Sequence, residues 1–565
     1  MFHIRVSFAV QHRLPGWERP PNPGGTMTRP TNLFSLPALF DRLRPDRDSA
    51  ATPASEPTPY LLEDSGGTWS GKPIFNQAQV IAQIDSGAKL QGKTITFGFL
   101  DALPTTSSGG VPGEYAGFSP LTEAQRAGTR DAMQLWDDLI AVRVVEERGN
   151  GRGASPDISL ANTTTGPKVG WAYFPTDDGN NKTPQSSVWI NPSPESGNQA
   201  IGTGFFGSYT LIHELGHAFG LSHPGDYDSG DDIIDDYGSS AVYAQDSRQF
   251  TTMSYFAEQN TGAGVVWNAA IPTTMLPQTP LLHDILTIQA IYGADPTTRR
   301  GDTVYFANSN AGNAVYDLGE NPFPYLSVYD AGGNDTFDFS TANMGVFLDL
   351  RAGAFSSASI GSLTLDEANA IRAEAGSALW DAASYEGFLG FALTRNPGIV
   401  EADTGIPGIT APAVRNISIA YNTIIENAVG GEARDYLLGN DVANWLKGNG
   451  GDDVLNGLGG NDVLIGGKGA DTFSFFDGSG KDVILDFKSG SDKIDLHEID
   501  ANILAAGDQA FDFIGSALFG GVAGELRSFV TWTGHVLAGD VDGDKVADFT
   551  IDLGLARVAA ADLFF

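Results

Sequence analysis

The chain has 565 residues with 69 acidic against 33 basic side chains, a net charge of −36; that balance repels nucleic acid and anionic membranes and suits cations. Cysteine is absent, which excludes a disulfide framework, a thiolate nucleophile and thiolate zinc sites. No stretch approaches the roughly eighteen consecutive apolar residues of a membrane helix, and the length predicts about two to four domains rather than one core.

Residues 1 to about 65 are rich in Pro, Ser and Thr, and the first fifty carry seven Arg against four acidic side chains, the reverse of the whole chain. They are expected to form a poorly ordered leader or pro-segment, with Met27 as an alternative start. "MFHIRVSFAV" lacks the long apolar core of a secretory signal peptide.

From 66 to 297 the pattern is mixed α/β. "TITFGFL" (94–100) and "DISLANT" (157–163) alternate as strands. "LTEAQRAGTRDAMQLWDDL" (121–139) predicts a helix that Thr122 and Gln125 cap as a box, with an apolar stripe through Ala124, Ala132, Leu135, Trp136 and Leu139 that Gly128 interrupts. "VGWAYFP" (169–175) is a candidate edge strand on which a peptide could lie extended, giving Trp171, Ala172 and Tyr173 as candidate substrate-binding residues.

"LIHELGHAFGLSHPGDY" (211–227) holds three of the chain's eight histidines. His213 and His217 are four apart in a helix-compatible run, so one helix face presents both imidazoles to a common point. Gly220 ends the helix, and His223 arrives from the loop as a third nitrogen. Three nitrogen ligands leave the fourth corner of a tetrahedron for water, the arrangement of catalytic zinc, and Glu214 beside the first ligand is placed to reach that water as general base. The five fixed positions coincide by chance on the order of once in 100,000 chains of this composition. A structural zinc site would have no use for the spare carboxylate.

Beyond about 298 the texture turns to Gly, Asn and Asp at short intervals. From Gly430 to Ser474 five nine-residue blocks follow without a gap, and they match a calcium-binding nonapeptide, weakly in the first two and well in the last three. In such blocks glycines let a half-turn bend so that carbonyls and the sixth-position Asp face one cation, while three further residues form a short strand. The candidate calcium residues are Gly448, Gly450 and Asp453, then Gly457, Gly459 and Asp462, then Gly466, Gly469 and Asp471. Two blocks complete one coil, so Asp435, Asp453 and Asp471 should line one side, Asn444 and Asp462 the other, with Leu437, Leu446, Leu455, Leu464 and Phe473 inward. So thin a core makes calcium a folding cofactor. Ala433 in place of Gly and Asn444 in place of Asp weaken the first two blocks. "DVDGDKVADF" (540–549) lacks the bidentate Glu of an EF-hand loop.

Taken together, the three-histidine signature with Pro224 after it, "AQDSRQFTTMSYF", "PLLHDILTIQAIYGAD", "RRGDTVY", "DAGGNDTFDFS" and "IENAVGG" resemble the serralysins, zinc metalloproteases of the metzincin type with RTX calcium repeats. The resemblance implies zinc on His213, His217 and His223, with Tyr255 as a further ligand able to swing away and stabilise the oxyanion, and Met253 as a structural floor. It further implies calcium on main-chain oxygens of Arg299, Gly301 and Thr303, and on Asp330, Gly332, Asp335 and Glu426. The implied fold is multidomain: an α/β metzincin catalytic domain (66–297), a calcium-binding parallel β-roll (298–474) with an insertion at about 356–414, and a C-terminal β-sandwich-like region (475–565). The insertion includes a predicted helix, "TLDEANAIRAEAGSALWDAASY", capped by Thr364 and Glu367.

The implied protein is a secreted monomeric zymogen that hydrolyses peptide bonds of proteins and peptides. Its implied partners are the type I (ABC) secretion machinery and a proteinaceous inhibitor, with no nucleic acid and no membrane. The final "ADLFF" reads either as an uncleaved export signal or as an ordinary last strand. Two other function classes remain at this point: a calcium-dependent surface protein with a vestigial site, and a different exported hydrolase, although no G-x-S-x-G occurs.

Overall fold

A computed structural model describes residues 67–565 except 104–112, 148–155, 167, 177–183, 228–235, 265, 269–272, 375–377, 394–396 and 533. The expected leader and most of the acidic loop at 225–238 lie outside the described residues. Among those described, no helix is long and apolar enough to cross a membrane.

The N-terminal part is a six-stranded mixed sheet with helices against it. In chain order the elements are α1 (Gln77–Ile84), β1 (Thr94–Phe99), α2 (Glu123–Asp137), β2 (Arg143–Glu146), β3 (Ile158–Thr163), β4 (Gly170–Ala172), β5 (Ser186–Ile190), α3 (Phe206–Phe219) and α4 (Leu282–Tyr292). The strand order is β2-β1-β3-β5-β4, with Phe118–Ser119 as a sixth strand on β3. All pairings along this order are parallel except the last, β4 against β5. β4 is therefore an antiparallel edge, as the sequence predicts for that segment.

Helix α2 carries the predicted box between Thr122 and Gln125. Its buried face differs from the predicted stripe: Ala124 is exposed and Gly128 is buried. A Cβ on Gly128 would sit 2.8 Å from the Ile201 side chain and 3.4 Å from Leu211, so the glycine lets α3 approach rather than interrupting the contact.

Beside a small sheet in which Ile417–Ile419 lies between Leu326–Val328 and Phe355–Ser356, most of the rest of the chain winds between two large sheets. The strands are β6 (Val304–Phe306), β7 (Thr336–Asp338), β8 (Phe347–Asp349), β9 (Asn427–Val429), β10 (Tyr436–Asn440), β11 (Trp445–Gly450), β12 (Val454–Leu458), β13 (Val463–Lys468), β14 (Thr472–Phe476), β15 (Lys481–Ile484), β16 (Lys493–Glu498), β17 (Asp512–Phe513), β18 (Glu525–Val530), β19 (His535–Asp540), β20 (Phe549–Asp552) and β21 (Leu563–Phe564). One sheet runs β6-β7-β9-β11-β13-β15-β20-β19-β18-β17 and the other β8-β10-β12-β14-β16-β21. From β9 to β16 successive strands alternate between the sheets, and each pairs in parallel with the strand two places on. The register superposes Leu437 on Leu455 and Phe473, and Leu446 on Leu464, all five fully buried, as the nine-residue spacing predicts. Both sheets continue through residue 474 without a break, and "ADLFF" contributes the final strand, β21, beside β16.

Between β8 and β9 lie α5 (Leu365–Glu374), α6 (Ala382–Leu393) and α7 (Pro397–Thr404). The predicted cap on Glu367 is present at Thr364. The single helix expected over 364–385 is instead two: α6 starts afresh after Asp381, whose carboxylate accepts the Ser384 N–H. An Asp followed three residues later by a free N–H is a helix start, and the continuous apolar pattern concealed it.

Candidate metal centre

Helix α3 places the first two histidines. It ends at Gly220, whose φ of 110° is open to glycine, and where a Cβ would fall 2.1 Å from the Ala88 carbonyl oxygen. The reversal is fixed by the Ser222 N–H donating to Ile84 O at 2.7 Å, and it returns the chain so that His223 faces His213 and His217. All three histidines are buried, and their ring nitrogens converge.

The proton positions follow from the partners. Each Nδ1 faces a main-chain carbonyl, which can only accept: His213 on Thr252 at 2.8 Å, His217 on Leu221 at 2.7 Å and His223 on Tyr227 at 2.9 Å. Each Nδ1 therefore carries the proton and each Nε2 presents a lone pair to the others. The Nε2 of His223 lies 3.1 Å from that of His217 and 3.3 Å from that of His213. Ligands at about 2.0–2.1 Å on tetrahedral corners stand about 3.3 Å apart, so the three nitrogens fit one zinc-sized ion. Burial pushes His213 down to about 4, and burial together with neighbouring imidazoles pushes His217 and His223 well below the ordinary histidine value, which favours the unprotonated, ligating form.

Glu214 is buried, and among the described residues neither of its carboxylate oxygens has a hydrogen-bond partner. Burial holds it well above the usual carboxylate range. Its Oε1 lies beside the start of β4, where a Cβ on Gly170 would be 3.3 Å away. Met253 is fully buried beneath α3, with its sulfur 2.6 Å from where a Gly216 Cβ would stand. The Tyr255 ring borders the centre, its centroid 4.5 Å from that of His223 and 6.0 Å from that of His213.

Trp171 and Ala172 are buried and Tyr173 half-buried. The Trp171 indole N–H donates to Glu114 at 3.1 Å and the Tyr173 hydroxyl donates to the same carboxylate. Their side chains are thus committed to Glu114. The pairing of Trp171 with Trp189 and of Tyr173 with Ser187 leaves the main-chain groups of Gly170 and Ala172 on the open edge.

The acidic positions of the coil form two ladders. On one side the Asp435 N–H donates to Asp453, Asp453 to Asp471 and Asp471 to Asp492; on the other Asn444 donates to Asp462 and Asp462 to Asp482. Asp482 and Asp492 were missed in the sequence because the repeat widens there to 20 and 21 residues. Cβ atoms on Gly448, Gly457 and Gly466 would lie 2.1, 1.9 and 2.3 Å from oxygens of Asp453, Asp462 and Asp471, cradles that only glycine leaves open. Asp453 Oδ2 and Asp462 Oδ2 are buried without a partner, whereas Asp435 and Asn444 accept the N–H of Gly431 and Asn440. Burial first, then the Asp435 charge, push Asp453 up to about 9. Such buried, mutually repelling carboxyls with facing carbonyls suit a divalent cation. Gly450 is the last residue of β11, and Gly459 and Gly469 lie in the bends that follow β12 and β13.

The earlier set also assembles. Asp335 accepts the Thr303 N–H at 2.8 Å through one oxygen, its other oxygen is buried without a partner, and its N–H donates to Glu426 at 2.7 Å. Burial, then the Asp330 and Glu426 charges, push Asp335 up to about 7 against the Thr303 hydrogen bond. A Cβ on Gly333 would stand 2.6 Å from the Gly301 oxygen, Gly332 N–H donates to Asp330, and Thr303 Oγ1 lies 3.4 Å from Arg299 O. The Thr303 carbonyl already accepts the Thr336 N–H. A third group, Asp540, Asp542 and Asp548, brings carboxylates together, but main-chain N–H groups of Val541, Gly543, Asp544 and Lys545 occupy oxygens of all three.

Residues 294–374 and 378–565 match the family described as Peptidase M10 serralysin C terminal. Serralysin of Photorhabdus laumondii is 34% identical over 469 residues, covering 81% of this chain and 80% of its own. Metalloprotease AprA of Pseudomonas entomophila is 36% identical over 454 residues, 79% of this chain and 80% of its own, and serralysin G of Dickeya chrysanthemi 34% over 458, 77% and 81%. The relatives and the histidine cluster define the chain as a metalloendopeptidase. It belongs to the serralysin family.

Proposed function

We propose that the protein is a secreted, calcium-stabilised zinc endopeptidase that cleaves extracellular proteins with broad specificity, using Glu214 as general base. The observation that carries this reading is the convergence of three buried Nε2 lone pairs beside a buried carboxylate with no partner among the described residues. In this reading residues 1–65 are the pro-segment, 66–297 a metzincin catalytic domain, 298–474 an RTX β-roll and 475–565 a C-terminal β region. His213, His217 and His223 would hold zinc, and Tyr255, whose ring borders them, would serve as a further ligand.

Zinc bound there supplies a Lewis acid that makes water a nucleophile at neutral pH. The substrate lies along β4 and pairs with the main chain of Gly170 and Ala172, which recognises any sequence and brings a peptide bond past Glu214. Glu214 takes the proton of the attacking water on a carboxylate oxygen and delivers it to the departing amine nitrogen. The Tyr255 hydroxyl donates to the oxyanion, and Met253 holds α3 from below.

Calcium on Asp453, Asp462 and Asp471, and on the Asp335 cluster, offsets the repulsion of the stacked carboxyls. In calcium-poor cytosol the acidic repeats stay unfolded and pass through a type I exporter; outside, calcium drives folding. A casein zymogram with and without phenanthroline tests the reading. Clearing that phenanthroline abolishes and added zinc restores is expected; clearing indifferent to the chelator would refute it.

A further inference from the structure

The three-helix insertion joins two parts of the molecule. α5 and α6 share a small core around Ala368 and Tyr385. Leu363 and Leu389 pack both on that core and on a buried cluster containing Val266, Met275 and Leu281. Val266 and Met275 close the base of the Trp267–Asn268/Thr273–Thr274 hairpin, with the Met275 N–H donating to Val266 O at 2.8 Å.

Two polar clamps fix the same segment. The Gly264 N–H donates to Val414 O, and the Arg415 guanidinium donates to Thr261 O at 3.0 Å while gripping Asp403, at the end of α7, through both oxygens at 2.6 and 2.9 Å. A Cβ on Gly262 would meet Arg415 Nη1 at 2.3 Å, so the arginine lies flat on the chain there. The far side of α7 rests on the coil: Val400 belongs to a cluster with Phe347, Tyr436, Leu438 and Val454, the last directly following Asp453 in the chain.

The clamped segment ends at the catalytic cleft. Leu276, directly after Met275, is half-buried and packs on a core of Val169, the residue preceding β4, and Tyr209, the same core on which Tyr255 packs. Its N–H donates to Gly204 O at 3.0 Å.

We propose that the insertion is a brace that fixes the cleft wall carried by residues 258–264, 266 and 273–276, and through Leu276 sets the affinity for extended substrates. It rests on the proposed pairing of the substrate with β4. The brace acts on binding: it touches neither the histidines nor Glu214, and it reaches the core that carries Tyr255 only through Leu276, which the substitutions below leave in place.

The test uses the full chain with the paired substitution Asp403→Leu with Arg415→Met, which removes the clamp on Thr261 without leaving a buried charge unpaired, and separately Leu389→Ala. KM for a quenched-fluorescent decapeptide is expected to rise about tenfold with kcat and zinc content held. Amide hydrogen exchange is expected to quicken by on the order of tenfold in 258–264 and 273–276 and stay unchanged in α3. Unchanged KM and unchanged exchange, or a fall in kcat with loss of zinc, would overturn the proposal. A parent chain that cleaves no peptide would sink the proposed function, while the exchange measurement would still decide the brace.

Discussion

Asp246 is fully buried, accepts the Tyr227 and Ser254 hydroxyls through one oxygen at 2.7 Å each, and has no partner on the other. Tyr227 in turn orients His223 through its carbonyl, and its ring stacks on that imidazole at 5.5 Å. Asp284 plays the matching part for His213, accepting the Thr252 N–H and hydroxyl at 2.7 and 2.8 Å while the Thr252 carbonyl accepts the hydrogen bond of His213 Nδ1. Burial pushes Asp246 up to about 7, against the Ser254 and Tyr227 hydrogen bonds. A carboxyl raised on folding contributes stability below about pH 4 that is lost as pH rises toward 7, here by up to about 4 kcal/mol. Asp246→Asn can still accept both hydroxyls. Thermal midpoints from pH 4 to 7 should therefore show the parent losing ground against the variant; parallel curves would contradict this. The ligands were legible because a helix repeats every 3.6 residues. Asp246, Asp284 and Glu114 were not: Asp246 meets its partners 8 and 19 residues away, Asp284 meets Thr252 across 32 and Glu114 meets Trp171 and Tyr173 across 57 and 59, with no regular spacing to mark any of them.

At the scale of elements, the repeat was legible because nine residues return each side chain to the same place, and Leu437, Leu455 and Phe473 do stack. Where the period slips, at Asp482 and Asp492, the ladder continues although the pattern stops. The insertion was misread as one helix because apolar spacing carries no mark of a restart at Asp381. The glycine cradles make a specific claim about the coil. Gly457→Ala would place a methyl 1.9 Å from Asp462 Oδ2 and drive the carboxylate off its position. The calcium concentration that half-restores the strand signal in circular dichroism after EGTA should rise about tenfold or more. A midpoint equal to that of the parent would mean that this cradle holds no ion.

Across the whole molecule, one hydrophobic cluster runs from Val80 through Trp136, Tyr305 and Leu455 to Leu563. Composition and charge pointed to cations, but they did not indicate that the catalytic sheet and the coil share a core. That continuity is decided by side chains far apart in sequence, and under the proposed function calcium bound in the coil would support the helix bearing the histidines. A calcium-dependent surface protein with a vestigial site would share this architecture, and only the chemistry at Glu214 separates the two. Zinc content and casein cleavage should be measured on one preparation of Glu214→Gln beside the parent. Three intact imidazoles should retain about one zinc per chain while cleavage falls by at least about a hundredfold. Cleavage at the parental rate, or folded parent protein without a transition metal, would contradict the assignment of the site.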